Sequence, residues 1–414
     1  MGGNLSTKHA KTIFVTPDGA IGITYAFAQE YAKHMPFEIK MPVLTPRHVA
    51  LIKQNWSAIC RGTNAFDATK HGSPDKFFHR TFYSLLFAVM PSLRCIFRSS
   101  LTLQGKSLAS IIKVMTNVMT TSRIVEQMQA LASGHLKFGV RKDDYTTMGV
   151  TLIRTLEVIS GNVWSKDVKE AYLTAYCFLY YLLLPVIAKR APEPAQESLA
   201  CAVSAIEVVA PNARRLTLNY DFPLRFQPGD GILLGAGDTK RCFPIASFHA
   251  NPTNTLDIVV DLATSDWLCR QAIGSKLRLF WVESHVNFEI DTPDTLPANV
   301  LLISHGVACA PFVAMMQGLC SVRDQYSGQV VALQCADTIE DVEAFQRPPG
   351  LADCAIHFAP EVNQAKLLEI APTLAQFELY VGGPRDFVAQ VEREYLAAGG
   401  RKRVHVYSFD KYNR

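Results

Sequence analysis

No C-x-x-C pair occurs among the ten cysteines, which scatter from Cys60 to Cys354. That spacing offers neither a zinc cluster nor a disulfide framework, and reduced thiols in an intracellular protein are the simpler account. Charge of one sign is scarce as well: the formal net charge is only +4 over 414 residues. A balance so small and so dispersed gives no footprint for nucleic acid. No secretory leader is evident, and long apolar runs are missing. The strongest membrane lookalike covers 175–188, contains Tyr176, Tyr180 and Tyr181, and is interrupted by Pro185. A span needs about 20 residues, so a buried helix is expected there. What is present is an ordinary folded composition, 49% hydrophobic and 19% charged, with length for two or three domains.

The chain starts Met1-Gly2-Gly3-Asn4-Leu5-Ser6, which fits the signal for an acyl group on Gly2. One myristoyl chain would give weak, reversible attachment of a cytoplasmic protein to the cytoplasmic face of a membrane. The same residues also fit a merely disordered start.

The first half reads as helices. Thr45 is an N-cap before Pro46, opening a helix over about 46–58, and 63–75 is rich in loop residues. Phe77, Phe78, Phe82, Tyr83, Leu86 and Phe87 repeat at helical spacing until Pro91, followed by Leu93, Ile96 and Phe97. Leu108, Ile111, Ile112, Met115 and Val118 mark another helix, with Gln104 one turn before Leu108 on the same face. A helix ending at His135 is broken by Gly139, and the next begins at Asp143-Asp144-Tyr145. The last covers about 166–189. Any one of these side chains, taken alone, reads as an ordinary core or surface residue.

The order and spacing of residues 44–190 resemble the haem domain of flavohaemoglobins. The resemblance implies that His135 ligates haem iron and that Tyr145 orients its imidazole. It further implies that Tyr83 and Gln104 act as distal hydrogen-bond donors, with Phe97 and Leu108 as the apolar wall. Two positions depart from the family. Gly134 replaces the usual basic residue before the histidine, and Leu182-Leu183-Leu184-Pro185 occupies the region of the family's proximal glutamate.

Ala191-Pro192-Glu193-Pro194 reads as a linker. Beyond it, apolar runs at 216–218, 231–234, 256–260 and 277–281, with a turn at Pro228-Gly229-Asp230, suggest a small antiparallel barrel. After Pro297, strands at 300–304, 330–333 and 377–381 alternate with helices, as in a doubly wound sheet with its ligands at the carboxyl ends of the strands.

Arg241-Cys242-Phe243-Pro244-Ile245-Ala246-Ser247 resembles the flavin motif of the ferredoxin-reductase family. This implies a pyrophosphate clamp at Arg241, an aromatic contact to the flavin at Phe243, and flavin-site positions at Pro244 and Ser247. Thr264-Ser265-Asp266-Trp267-Leu268 resembles the second flavin segment, with Ser265 at a helix start toward phosphate. Gly306, and Gly382-Gly383-Pro384, resemble nicotinamide-site turns, and Phe409 resembles the terminal aromatic that covers the flavin. The motifs are altered. Phe243 lacks a tyrosine's hydroxyl, Pro244 lacks an N–H, Ala308 stands where a second glycine is usual, and Gly382 replaces a cysteine.

The resulting expectation is a multidomain chain. It has an N-terminal extension (1–43), an all-α globin domain (44–190), a linker (191–198), an antiparallel β-barrel FAD-binding domain (199–294) and an α/β doubly wound NAD(P)-binding domain (295–414). Its implied cofactors are haem b, FAD and NAD(P)H. Its implied function is an oxidoreductase using dioxygen and nitric oxide, an NAD(P)H-dependent nitric oxide dioxygenase. The altered motifs leave two alternatives: a haem-flavin reductase with another acceptor, and a haem or oxygen-binding sensor or scaffold.

Overall fold

The computed structural model describes residues 11–408, apart from 122, 252, 285 and 337–353. The chain divides into two compact units, one of residues 1–97 and 101–197, the other of 98–100 and 198–414.

The first unit begins with a small antiparallel sheet of β1 (Ile13–Val15), β2 (Ile21–Ile23) and β3 (Val43–Leu44), with α1 (Tyr25–Tyr31) between the second and third strands. Ile13, Ile23, Tyr31 and Leu44 share one core with the helices that follow, so residues 11–44 are folded onto the helical body. The helices are α2 (Pro46–Arg61), α3 (Pro74–Val89), α4 (Leu101–Asn117), α5 (Ile124–Leu136), α6 (Lys142–Ser160) and α7 (Lys166–Ile187). Their starts are chemically marked. The hydroxyls of Thr45, Ser73 and Ser165 accept from the N–H of His48, Lys76 and Val168, and Pro46 and Pro74 occupy first-turn positions where a missing donor costs nothing. A short helix, Ala68–His71, interrupts the stretch expected to be loop. By length and composition α7 could cross a membrane, but 16 of its 22 residues are buried, which is the pattern of a central core helix.

The linker residues are held in place. The Glu193 N–H donates to the carbonyl of Leu136 at the end of α5, and Ala195 lies against Gly139, whose φ of +80° suits the absence of a side chain.

The second unit contains two sheets. Strands β4 (Leu199–Ala210), β5 (Ala213–Tyr220), β6 (Gly231–Ala236), β7 (Thr239–Pro244), β8 (Thr255–Asp261) and β9 (Lys276–Glu283) form one antiparallel sheet, ordered β7-β6-β9-β4-β5-β8. The expected barrel is realised as this sheet, and among the described residues no ladder joins its outer strands β7 and β8. Just past β7, the Ala246 N–H donates to the Asp257 carbonyl, and the Asp257 N–H donates to Ser247 Oγ at 2.8 Å. α8 (Leu262–Cys269) follows β8.

The other sheet is wholly parallel: β10 (Asn299–His305), β11 (Gln329–Cys335), β12 (Ala355–Ala359), β13 (Glu378–Gly382) and β14 (Val404–Tyr407), ordered β12-β11-β10-β13-β14. Alternation along β10 covers both faces. Val300 and Leu302 pack with Met315, Met316 and Leu319 of α9 (Ala310–Ser321). Leu301 and Ile303 pack with Leu367 of α10 (Gln364–Ile370) and with Val391 and Tyr395 of α11 (Arg385–Ala397). This is a doubly wound layer arrangement.

Candidate functional site

His135 lies in the last turn of α5, and Tyr145 in the first turn of α6, ten residues on; the His135 Nδ1 to Tyr145 hydroxyl distance is 2.9 Å. The turn between them is set locally. Gly139 takes a positive φ, and Asp144 starts α6 by accepting from the Arg141 N–H at 2.7 Å. Tyr145 is then fixed from behind. A Cβ at Gly149 would overlap the Tyr176 ring, so glycine there lets α7 approach, and the Tyr176 hydroxyl donates to the Tyr145 carbonyl at 2.5 Å. Burial holds the His135 pKa below the ordinary imidazole value, so the ring is neutral at pH 7. Its Nε2 has no hydrogen-bond partner among the described residues, and a Cβ at the neighbouring Gly134 would meet nothing within 4 Å.

Tyr83 of α3 is buried between the rings of Phe87 (5.7 Å, stacked) and Phe97 (5.4 Å, edge-on). Burial pushes its phenol pKa up, against a smaller opposing pull from Arg94, so it remains an O–H donor; no hydrogen-bond partner for it exists among the described residues. Arg94 is itself buried, donates to the Phe97 carbonyl, and lies 5.6 Å from the Phe87 ring centre. Sequence reasoning passed over it because its neighbours in space are not spaced regularly in the chain. Leu108 of α4 is buried, whereas Gln104, one turn earlier, is half-buried. A Cβ at Gly105 would overlap His79 of α3, so glycine at this point lets α3 and α4 come together and sets Tyr83 and Leu108 in one core.

A haem needs a neutral imidazole with one free nitrogen, a partner on the other, and an apolar surround containing a directed donor. His135 with Tyr145 meets the first two of these needs, and Tyr83, Phe97 and Leu108 belong to or pack against the same core.

In the second unit, Arg241 is half-buried on β7. The Phe243 ring is turned into the antiparallel-sheet core, 4% exposed and edge-on to Trp267 at 6.0 Å. Contact of that ring with a flavin would require its uncovering. Pro244 closes β7 opposite Gly231. Ser247 is occupied at the seam with β8, where its oxygen accepts from Asp257. Ser265, with φ −144° and ψ 37°, stands at a kink between two short helical segments within 262–269 and so precedes the second of them. Ser265 is buried, and the planar guanidinium of Arg241 has the fork geometry that phosphate recognition uses.

Gly306 and Gly382 come together at the carboxyl edge of the parallel sheet, at the ends of adjacent strands β10 and β13, where the strand order reverses. Gly306 has φ +56° with open space where a Cβ would stand, and its carbonyl accepts from Gln334 Nε2 at 3.0 Å. A Cβ at Gly382 would stand 3.2 Å from the Ala308 carbonyl, and Pro384 caps the start of α11. Phe409 and Gly2 lie outside the described residues.

The fold is that of a helical, globin-like module followed by a reductase-like pair of sheet modules. No family model matches the chain. It is 22% identical over 415 residues to a flavohemoprotein of Burkholderia sp. (strain TH2), covering 89% of this chain and 98% of that one. A Vibrio cholerae serotype O1 flavohemoprotein is also 22% identical, over 408 residues, with the same coverage. Among solved structures, a flavohemoglobin from Malassezia yamatoensis with bound FAD and heme aligns with a TM-score of 0.43, 15% identity, and coverage of 88% of this chain and 100% of that one. The ferredoxin reductase in carbazole 1,9a-dioxygenase aligns at 0.44, with 19% identity over 53% of this chain and 71% of that one. The structural likeness is weak, and the sequence relation is distant. The chain is a remote homologue of flavohemoglobin-type proteins.

Proposed function

We propose that the chain is a flavohaemoglobin-like oxidoreductase that takes electrons from NAD(P)H, passes them by way of FAD to haem b, and uses dioxygen to convert nitric oxide to nitrate. The observation that carries this reading is the His135–Tyr145 pair, a buried neutral imidazole held through Nδ1 with Nε2 left free. When bound, a flavin would supply the conversion of a hydride into single electrons, and a haem would supply a one-electron acceptor. The protein's own part is positional. His135 would hold the iron, and Tyr145, accepting from Nδ1–H, fixes the tautomer that frees Nε2. Tyr83 keeps its proton and would serve as a donor in an apolar surround, with Gln104 as the second proposed donor. Phe97 and Leu108 keep water out. Arg241 and Ser265 would hold the flavin's phosphates, with Phe243, Pro244 and Ser247 around them. Gly306, Gly382 and Pro384 would take the nicotinamide nucleotide, and Phe409 would cover the flavin. An acyl group on Gly2 would add weak attachment to a membrane's cytoplasmic face.

The burial of Phe243 favours a second reading, a haem-binding sensor or scaffold with a degenerate reductase module. An absorption spectrum of the purified protein, before and after NADH under argon, separates the two. Haem and flavin bands with conversion to ferrous haem support the oxidoreductase. A haem band without flavin supports the sensor, and no haem band after expression with adequate haem overturns both.

A further inference from the structure

Four residues of the N-terminal segment (Lys11, Thr12, Phe27 and Tyr31), the end of α7, Arg190 beyond it and Gln129 of α5 border a cavity of about 370 Å³, near the lower end of small-molecule pockets (~300–1,000 Å³). Its buried wall is mainly apolar, with Thr12 and the half-buried Gln129 as its polar members. Tyr31 and Val186 are buried, and the half-buried Phe27 ring lies 4.8 Å from Tyr31. Pro185 belongs to this wall. Lacking an N–H, it leaves the Tyr181 carbonyl without the usual helical donor, and its ring borders the cavity.

The mouth is basic. Lys11 and Arg190 line the cavity, are both exposed, and have no ion-pair partner among the described residues. Lys189 beside them differs: its Nζ lies 3.1 Å from Glu30 and 5.1 Å from the centre of the Tyr31 ring.

We propose that this cavity is a binding site for an anionic amphiphile, a carboxylate carrying an apolar chain, with its head group between Lys11 and Arg190 and its chain against Phe27, Tyr31 and Val186. An inorganic anion would leave the aromatic wall wet, and an uncharged chain would leave both cations without a counter-charge; only a molecule carrying both parts matches the lining. The site lies in the first unit and needs neither haem nor flavin, so it stands or falls separately from the oxidoreductase reading.

Isothermal titration of the purified full chain with octanoate, octylammonium and 1-octanol tests it. Octanoate should bind at one site, with octylammonium and octanol each weaker by about tenfold or more. Two exposed charge reversals together, Lys11→Glu with Arg190→Glu, should weaken octanoate by about tenfold. Gln129→Trp, which fills the cavity from α5 without altering its charge, should weaken all binding. The proposal is overturned if octanoate fails to bind, if octylammonium binds equally well, or if binding survives both variants while circular dichroism shows them folded.

Discussion

At the scale of single residues, the His135–Tyr145 contact carries an energetic consequence for the proposed haem site. In flavohaemoglobins, as the sequence resemblance implied, a glutamate supports the histidine; here that region holds Leu184 and Pro185, and the support visible among the described residues is the Tyr145 hydroxyl. A neutral phenol accepting from Nδ1–H pulls less strongly on the imidazole than a carboxylate would, because charge-assisted hydrogen bonds are about twice as strong. With burial pushing the Tyr145 pKa up, the phenol stays neutral at any ordinary pH. Tyr145→Phe keeps the ring and its packing while removing the hydrogen bond to the His135 imidazole. Haem retention should weaken by ~10–100-fold, the usual effect of losing such an outer partner. The rate of haem transfer to an excess of apomyoglobin measures this, and an unchanged rate would remove Tyr145 from the site.

At the scale of elements, the helices of the first unit were legible because apolar spacing, N-capping hydroxyls and first-turn prolines agree with one another. The expected helix over 46–58 runs to Arg61, and the helix carrying Phe82 and Tyr83 begins at Pro74, one residue after its Ser73 cap. The His135–Tyr145 contact, which only the resemblance implied, is made across the turn at Gly139. Other features had no local signal. β1 to β3 have two or three residues each, too few for a period to show. β4 is twelve residues long, but register shifts near Ser204 and Val209 break its alternation. The Ser247 contact is another: its partner Asp257 is on the next strand, and only pairing shows it. The α6–α7 crossing is the element contact with most bearing on the site. Gly149→Ala would press a methyl into the Tyr176 ring, destabilising the first unit by about 1–3 kcal/mol and displacing the first turn of α6. Urea unfolding followed by helical circular dichroism checks the stability, and the haem spectrum checks the displacement; a variant as stable as the parent would show that the crossing has slack.

At the scale of the whole molecule, three residues from the middle of the helical sequence, Arg98–Ser100, belong to the second unit. The Arg98 carbonyl accepts from the Val282 N–H at 2.7 Å, and the Ser100 N–H donates to the Arg225 carbonyl at 2.8 Å. Domain boundaries read along the chain could not reveal this, because the segment is too short to carry a pattern of its own. Its Ser100 also joins a buried polar cluster around Asp230. That carboxylate accepts from the Gln227 N–H and from Asn287 Nδ2, both at 2.7 Å, and the hydroxyls of Ser100 and Ser284 also bond to it. Burial outweighs these donors and raises the Asp230 pKa to about 6. A folded-state value above the unfolded one of 3.8 means that the native state holds the proton more tightly. The group's contribution to stability is therefore fully present below about pH 4, falls as pH rises to about 6, and is flat above that, opposite in slope to the exposed Asp67, whose hydrogen bonds from Thr69 lower its pKa to about 2. Asp230→Asn should remove this slope from the second unit. Between about pH 4 and pH 7, the free-energy difference between parent and variant should change by on the order of 2–3 kcal/mol in the variant's favour. Urea unfolding read by pulsed hydrogen exchange on peptides covering β6 to β9 isolates the second unit from the first. Parallel pH profiles for parent and variant would mean that Asp230 stays ionised in the fold throughout, and that its four donors, Ser100 among them, outweigh its burial.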